Sequence, residues 1–158
     1  MKNNQSGFTL VELLVVMGIL FTLFGFVSFN LVGVQRNTSV NSTVDTLLSD
    51  MASQQTKAML GAGSSSGNSY GIYFQADKYT LFKGATYSSD PASYFTVSLD
   101  LGITFTNTFP SSSIVFSSGT GQVSGFSNGQ NTISIHDTQG TKTETITINR
   151  YGVVISEN

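Results

Sequence analysis

The first 34 residues of the chain divide into a short polar start and a long apolar run. Residues 1–7 are polar, and Glu12 is the only charged residue between Phe8 and Val34. A helix over this run would be about 40 Å long, whereas a bilayer core needs roughly 20 apolar residues. The pattern therefore predicts a membrane-spanning helix over residues 8–34.

This apolar run is not typical of a secretory signal peptide. Signal peptides have an apolar region of about 7–15 residues, followed by a small-residue cleavage site. Here the run is longer and no such site follows it. The simplest alternative is a plain membrane anchor, with Lys2 on the cytoplasmic side and the rest of the chain outside.

After Val34 the pattern becomes amphipathic over residues 35–60. Apolar residues recur at spacings of three and four, which is typical of a helix with one apolar face. We expect a continuous or gently bent helix that ends near Leu60, with any melting near Gly25, and whose second half covers a sheet. The apolar positions are Val40, Val44, Leu47, Leu48, Met51, Ala52, Ala58 and Met59.

Residues 61–158 are predicted to form a small antiparallel β domain, so that the whole chain is of the α+β class. Short segments with alternating polarity are rich in β-branched and aromatic residues, and they suggest two packed layers. Segment 75–78 is predicted to be a tight hairpin turn. The predicted strands are Tyr70–Phe74, Tyr79–Lys83, Tyr94–Leu99, Ile103–Thr106, Ile114–Ser117, Thr132–His136, Glu144–Asn149 and Val153–Ser156.

Loops separate these strands. Clusters of Gly, Ser, Asn and Pro predict loops at 84–93, 107–113, 118–131 and 137–141. Of these, we expect 84–93 and 118–131 to be the most mobile or the most exposed to partners.

Composition excludes several classes of function. The chain has no Cys and one His, which rules out disulfides, thiolate nucleophiles, Cys-ligated metals and two-histidine metal motifs. Charged residues make up only 10% of the chain, the net charge is −2, and four cations face six acids after residue 60. Nucleic-acid binding, which needs clustered cations, is therefore disfavoured.

Few residues suggest chemistry of their own. His136 and Asp137 are adjacent, but neighbours in a strand point to opposite faces. Ser117–Gly121 lacks the Lys and the spacing of a phosphate-binding loop. We therefore expect no catalytic residue, no cofactor and no enzymatic activity.

Calcium is the metal to consider in a domain outside the cell, because it takes carboxylate oxygens. The candidate ligands are Asp77, Asp90, Asp100 and Asp137. None of them has the close spacing of a ligand loop, so the prediction is that the chain has no metal site.

Glu12 needs an explanation, because an acid costs about 2.5–3.5 kcal/mol at the centre of a membrane helix, and somewhat less near one end. The next cation along the chain is Arg36, too far away to pair with it. The partner should then come from another chain. Cleavage after Gly7 would create an α-amino group on Phe8, mostly protonated at neutral pH, which a neighbouring subunit could present to Glu12.

The segment Gly7-Phe8-Thr9-Leu10-Val11-Glu12-Leu13-Leu14-Val15-Val16 resembles the processing site of type IV pilins and type II secretion pseudopilins. The resemblance implies that a prepilin peptidase removes residues 1–7 and methylates Phe8, and that Glu12 pairs with a neighbour's amino terminus during assembly. It also implies membrane lipid, sister subunits, and the assembly platform with its pilus or secretion machinery as partners. Many members have Pro where this chain has Phe29.

A weaker resemblance concerns the β domain. Residues 70–74 with 79–82, 114–121 and 146–154 are similar to segments of the H-type pseudopilins and the FimT-like minor pilins. Some FimT-like proteins bind DNA through a basic carboxy-terminal stretch, but here only Lys142 and Arg150 are basic near the end.

These observations predict the precursor of a filament subunit in the inner membrane, either a minor pilin or an H-type pseudopilin. Two alternatives stay open: a major type IV pilin, and a membrane-anchored β domain that binds an extracellular ligand without polymerising.

Overall fold

The structure is a computed structural model that describes residues 8–61, 68–88, 94–138 and 142–157, without the side chains of 27–38. The predicted leader, residues 1–7, lies outside the described residues. The chain divides into two compact units, Met1–Arg36 and Asn37–Asn158.

One helix, α1, runs from Leu10 to Met59 without interruption. It passes through Gly25, so the predicted continuity is confirmed, and it ends one residue before the predicted limit. In the first unit the large apolar side chains from Phe8 to Phe26 are exposed; Phe21 is 75% accessible. The predicted span 8–34 continues beyond them into side chains that are not described.

Within the residues that the structure describes, no helical stretch has both the length and the apolar character needed to cross a membrane.

The second unit buries one face of α1, as the amphipathic pattern predicts. Five buried apolar residues follow a repeat of four and three, and Gln54 lies on the same stripe with 2% of its surface exposed. One expectation was wrong: Ala52 and Met59 are exposed, because they lie off this stripe. The apolar members are Val40, Val44, Leu47, Met51 and Ala58.

Gln54 is tolerated in the core because its side-chain amide has partners there. Its Nε2 donates to the carbonyl oxygen of Gly71 at 2.9 Å and to that of Phe82 at 3.4 Å. A buried amide without such bonds would destabilise the fold. The helix is thereby tied to two neighbouring strands.

Eight strands form two four-stranded antiparallel sheets in the described part of the chain, which confirms the predicted class. The first sheet has the order β3-β2-β1-β5 and the second the order β4-β6-β7-β8. Each strand lies within a residue or so of its predicted position. The strands are β1 Tyr70–Phe74, β2 Lys78–Lys83, β3 Phe95–Ser98, β4 Ile103–Asn107, β5 Ser113–Phe116, β6 Thr132–Asp137, β7 Thr143–Ile148 and β8 Val154–Glu157.

The core lies between these sheets and the helix. Inward-facing side chains alternate along the strands, as in the buried pattern of β6. Aromatic rings join the two sheets: the Phe74 ring meets that of Phe105 edge-on at a centroid distance of 5.8 Å, and Tyr79 meets Phe105 at 5.8 Å. The tight hairpin is also present, since the Gln75 amide donates to the Lys78 carbonyl.

Two predicted loops contain more structure than expected. The Tyr87 ring stacks on Tyr73 at a centroid distance of 4.0 Å and on Tyr94 at 5.4 Å, so Tyr87, in the described part of loop 84–93, is packed. In loop 118–131, Val123 is buried and bridges to Phe116. Aromatic and branched side chains thus fix segments whose Gly and Ser content predicts mobility.

Tyr79 connects the first sheet to α1 through a buried phenol. Its hydroxyl donates to Oδ2 of Asp50 at 2.6 Å. Burial of the phenol raises the pKa of Tyr79 well above the ordinary value near 10. The hydrogen bond to Asp50 and the negative charge of its carboxylate raise the pKa further. The phenol therefore keeps its proton in the folded state at pH values where an unfolded tyrosine loses it.

We expect this phenol to make the fold sensitive to alkali. Below about pH 10 both states hold the proton, and the stabilisation is complete. At higher pH the unfolded state releases it, so the free energy of unfolding falls by about 1.4 kcal/mol per pH unit. Urea unfolding from about pH 9 to pH 11 should show this loss in the wild type and a shallower loss in Tyr79→Phe.

The matched control is Tyr151→Phe, which alters a tyrosine that is 60% exposed. It should keep the wild-type slope. Equal slopes for wild type and Tyr79→Phe would show that the buried phenol is not the source of the pH dependence.

Candidate processing and assembly site

The described part of the processing motif begins at Phe8, whose side chain is 81% exposed. Helix α1 begins two residues later, at Leu10. Gly7, on the other side of the predicted cleavage point, lies outside the described residues. The structure therefore places Phe8 two residues before the helix, and Glu12 in its first turn.

Thr9 caps the start of the helix, a role that the sequence analysis missed. The backbone amide of Glu12 donates to Oγ1 of Thr9 at 3.3 Å. Thr9 and Glu12 have the spacing of a capping box, in which a Thr at the cap is followed three residues later by Glu. The Thr-x-x-Glu spacing is present in the sequence and could have predicted this cap.

Glu12 thus has a local role at the start of the helix. A carboxylate in the first turn is stabilised by the partial positive charge at the amino-terminal end of the helix, by about 0.3–1 kcal/mol at exposed sites. This contribution is small beside the cost of burying a charge in an apolar assembly. Gln could fill the same local role, because a capping box can have either Glu or Gln at this position.

Removing the cap should loosen the start of the helix. We expect Thr9→Ala to cost about 1 kcal/mol locally, which corresponds to roughly fivefold faster hydrogen exchange at the Glu12 amide in detergent micelles. Thr9→Ser should retain wild-type exchange. Thr22→Ala removes a hydroxyl that bonds to Ile19 inside the helix and should leave the Glu12 amide unchanged. Equal exchange in Thr9→Ala and wild type would contradict the capping role.

The other end of α1 is held by two turns of the β domain. Nε2 of Gln55 donates to the carbonyl oxygen of Gly121 at 2.8 Å and to that of Tyr151 at 2.6 Å. The Gly119 amide donates to the Ala58 carbonyl. The segments singled out for their resemblance to H-type proteins thus position the helix end.

A glycine is favoured at position 121 for two reasons. Its φ is +65°, and a Cβ there would lie 2.6 Å from Cγ of Met59. Either condition disfavours any other residue. The Ser117–Gly121 loop therefore serves as a docking turn for the helix.

His136 and Asp137 face opposite sides of β6, as predicted. The ring nitrogens of His136 share hydrogen bonds with hydroxyls on the flanking strands, Nε2 with Thr106 at 2.9 Å and Nδ1 with Thr143 at 3.1 Å. Asp137 is buried. His136 is thus part of a cross-strand hydroxyl network.

Among the residues that the structure describes, the calcium candidates do not form a metal site. Asp77 and Asp100 are exposed, Asp137 is buried, and Asp90 lies outside the described residues. Among residues 8–61, 68–88, 94–138 and 142–157, no group of three His, Asp or Glu side chains could hold a metal ion.

Taken together, the described residues define a chain with an exposed apolar amino-terminal helix and a β domain built on the continuation of that helix. Residues 2–28 match the family model of the prokaryotic N-terminal methylation motif. The match includes Gly7, Phe8 and Glu12, and it supports a pilin-like substrate of prepilin peptidase. No curated protein and no solved structure matches the chain.

Proposed function

We propose that the chain is the precursor of a pilin-like filament subunit, either a minor pilin or an H-type pseudopilin, of a type IV pilus or a type II secretion system. The match of residues 2–28 to the methylation motif carries this proposal. In it, prepilin peptidase cuts between Gly7 and Phe8 and methylates the new amino group. The chain is then a substrate of an enzyme and performs no catalysis itself.

The exposed apolar side chains of residues 8–26 suit the helix to two environments, first membrane lipid and then the core of a filament. Large exposed apolar surfaces mark membrane or protein contacts. Before assembly, the segment that begins at Phe8 would lie in the lipid of the inner membrane, with the β domain outside. After assembly, the same surface would pack against the helices of sister subunits in the filament core.

Glu12 would direct assembly through charge. The amino group of mature Phe8 lies next to the positive end of its own helix dipole, which disfavours it there. A carboxylate from an adjacent subunit would neutralise that group within an apolar core. Head-to-tail contacts of this kind do not close on themselves and therefore build an open helix.

The assignment of the chain to the H-type or minor class is based on its β domain. The two turns that hold Gln55, at Gly121 and Tyr151, belong to the segments similar to H-type proteins. A subunit of this class would be a small fraction of the filament.

Fractionation tests the proposal. The full chain would be expressed in its native host, and sheared filaments would be separated from membranes by sedimentation. We expect the mature chain in the filament fraction, at a small molar ratio to the most abundant subunit. Equal abundance would instead indicate a major pilin. A chain that stays entirely in the membrane would indicate a non-polymerising anchored domain.

A further inference from the structure

A polar pocket in the second unit has no role in the assembly described above. It has a volume of about 380 Å³ and lies between the 117–126 segment and Arg150. Pockets for small molecules span about 300–1,000 Å³ and place a few polar groups around the ligand. The pocket is open to solvent, because Thr120, Ser124 and Arg150 in its lining are exposed, and its volume leaves room for one sugar ring.

The walls of the pocket are fixed by backbone hydrogen bonds. The Ser117 amide donates to the Gln122 carbonyl at 2.8 Å, and the Ser124 amide donates to the Val115 carbonyl at 2.7 Å. The Val123 amide donates to the Arg150 carbonyl at 2.9 Å, which ties the segment to the turn before β8. The side chains around the pocket therefore project from a defined frame.

Arg150 supplies the charge. Its Nε donates to Oε1 of Gln122 at 3.2 Å, which orients the planar guanidinium. Among the described residues that line the pocket, Arg150 is the one charged side chain. A guanidinium presents a fork of donors that matches a carboxylate. One cation is too few for the phosphates of a nucleic acid, which require several.

The remaining walls add features that suit a sugar. Ser117, Thr120 and Ser124 line the pocket with hydroxyls, each able to donate and accept hydrogen bonds. Phe126 also lines it and packs against the hydrophobic core, and an aromatic ring in a pocket wall can stack on the C–H face of a pyranose. Hydroxyls, an aromatic ring and a single guanidinium together match a ligand that carries hydroxyls and one carboxylate.

We infer that this pocket binds a carboxylated sugar. The inference goes beyond the proposed function and does not depend on it. No covalent step is involved: Arg150 would hold the carboxylate, the Ser and Thr hydroxyls would bond to the sugar hydroxyls, and Phe126 would cover one face of the ring.

The test is an NMR titration of the isotopically labelled full chain in detergent micelles with glucuronic acid, glucose and acetate. We expect saturable shifts of the 117–126 amides with glucuronic acid, and binding of glucose and acetate that is weaker by about tenfold or more. Arg150→Gln should weaken glucuronic acid binding by a similar factor. Lys57→Gln, which removes a cation outside the pocket, should not change it.

A second variant keeps the test decisive if Arg150→Gln alters the fold. Ser124 is exposed, so Ser124→Ala should fold normally, weaken glucuronic acid binding and leave acetate binding unchanged. The inference is overturned if glucuronic acid gives no saturable shifts, or if glucose or acetate binds as tightly. It is also overturned if neither pocket variant weakens the binding of glucuronic acid.

Discussion

Replacing Glu12 by Gln should prevent the chain from entering a filament while leaving its membrane insertion intact. Gln has nearly the shape of Glu and can occupy the same position of the capping box with Thr9. The substitution therefore removes the charge and preserves the local helix start. The loss is expected because the amino group of a neighbouring Phe8 would be left buried without its counterion.

The size of this effect follows from the cost of an unpaired buried charge. Breaking a buried ion pair by removing one partner costs about 3–5 kcal/mol, and each 1.4 kcal/mol is a factor of ten. We therefore expect the amount of chain in sheared filaments to fall by about two to three and a half orders of magnitude. Processing and resistance to alkaline extraction from membranes should match wild type.

The control for Glu12→Gln is Glu157→Gln, the same chemical change at an exposed carboxylate in β8. It should assemble like wild type. If Glu12→Gln also assembled like wild type, the carboxylate would have only its local role at the helix start, and pairing between subunits would be disproved.

Replacing Phe116 by Ala should cost more stability than any other change considered for the β domain. The Phe116 side chain is 0% exposed, and its strand β5 pairs with β1 at the edge of the first sheet. The ring also fills the space beside Gly152, where a Cβ would lie 2.9 Å from Cε1. Truncation leaves a cavity between the turn and the sheet.

We expect Phe116→Ala to lower the free energy of unfolding by about 3–5 kcal/mol, a large part of the roughly 5–15 kcal/mol that stabilises a domain. Urea unfolding of the full chain in detergent, followed by circular dichroism of the strands, would measure it. The same substitution at Phe95, which is 65% exposed on β3, should change stability by no more than about 0.5 kcal/mol. Similar losses for both variants would contradict the described core.

The periodic elements were predictable because each depends on local pattern. Alternation of apolar and polar residues determines which side of a strand is buried, and it located β6 within one residue. The helix end was predictable because residues 61–68 are rich in Gly and Ser. The partner of each strand was not predictable. Strand β5 pairs with β1 although three strands, including β4 of the other sheet, separate the two along the chain, and no local pattern encodes such a pairing.

The roles of the polar residues that position the helix were harder to predict from the sequence. No local pattern marks Gln54 or Gln55 as a contact residue, and only the tertiary structure shows the carbonyl oxygens to which they donate. Arg150 likewise reads as an isolated cation until Gln122 and the 117–126 segment are placed around it. For the processing site, Gly7, Phe8 and Glu12 stay predictions from sequence, while the cap formed by Thr9 is a structural finding.

The measurement that tests the central claim most directly is the intact mass and amino-terminal sequence of the membrane-extracted chain, with and without active prepilin peptidase. We predict a chain that begins at methylated Phe8 when the peptidase is active, and one that retains residues 1–7 when it is absent. A chain that still began at Met1 in peptidase-positive cells would contradict the account.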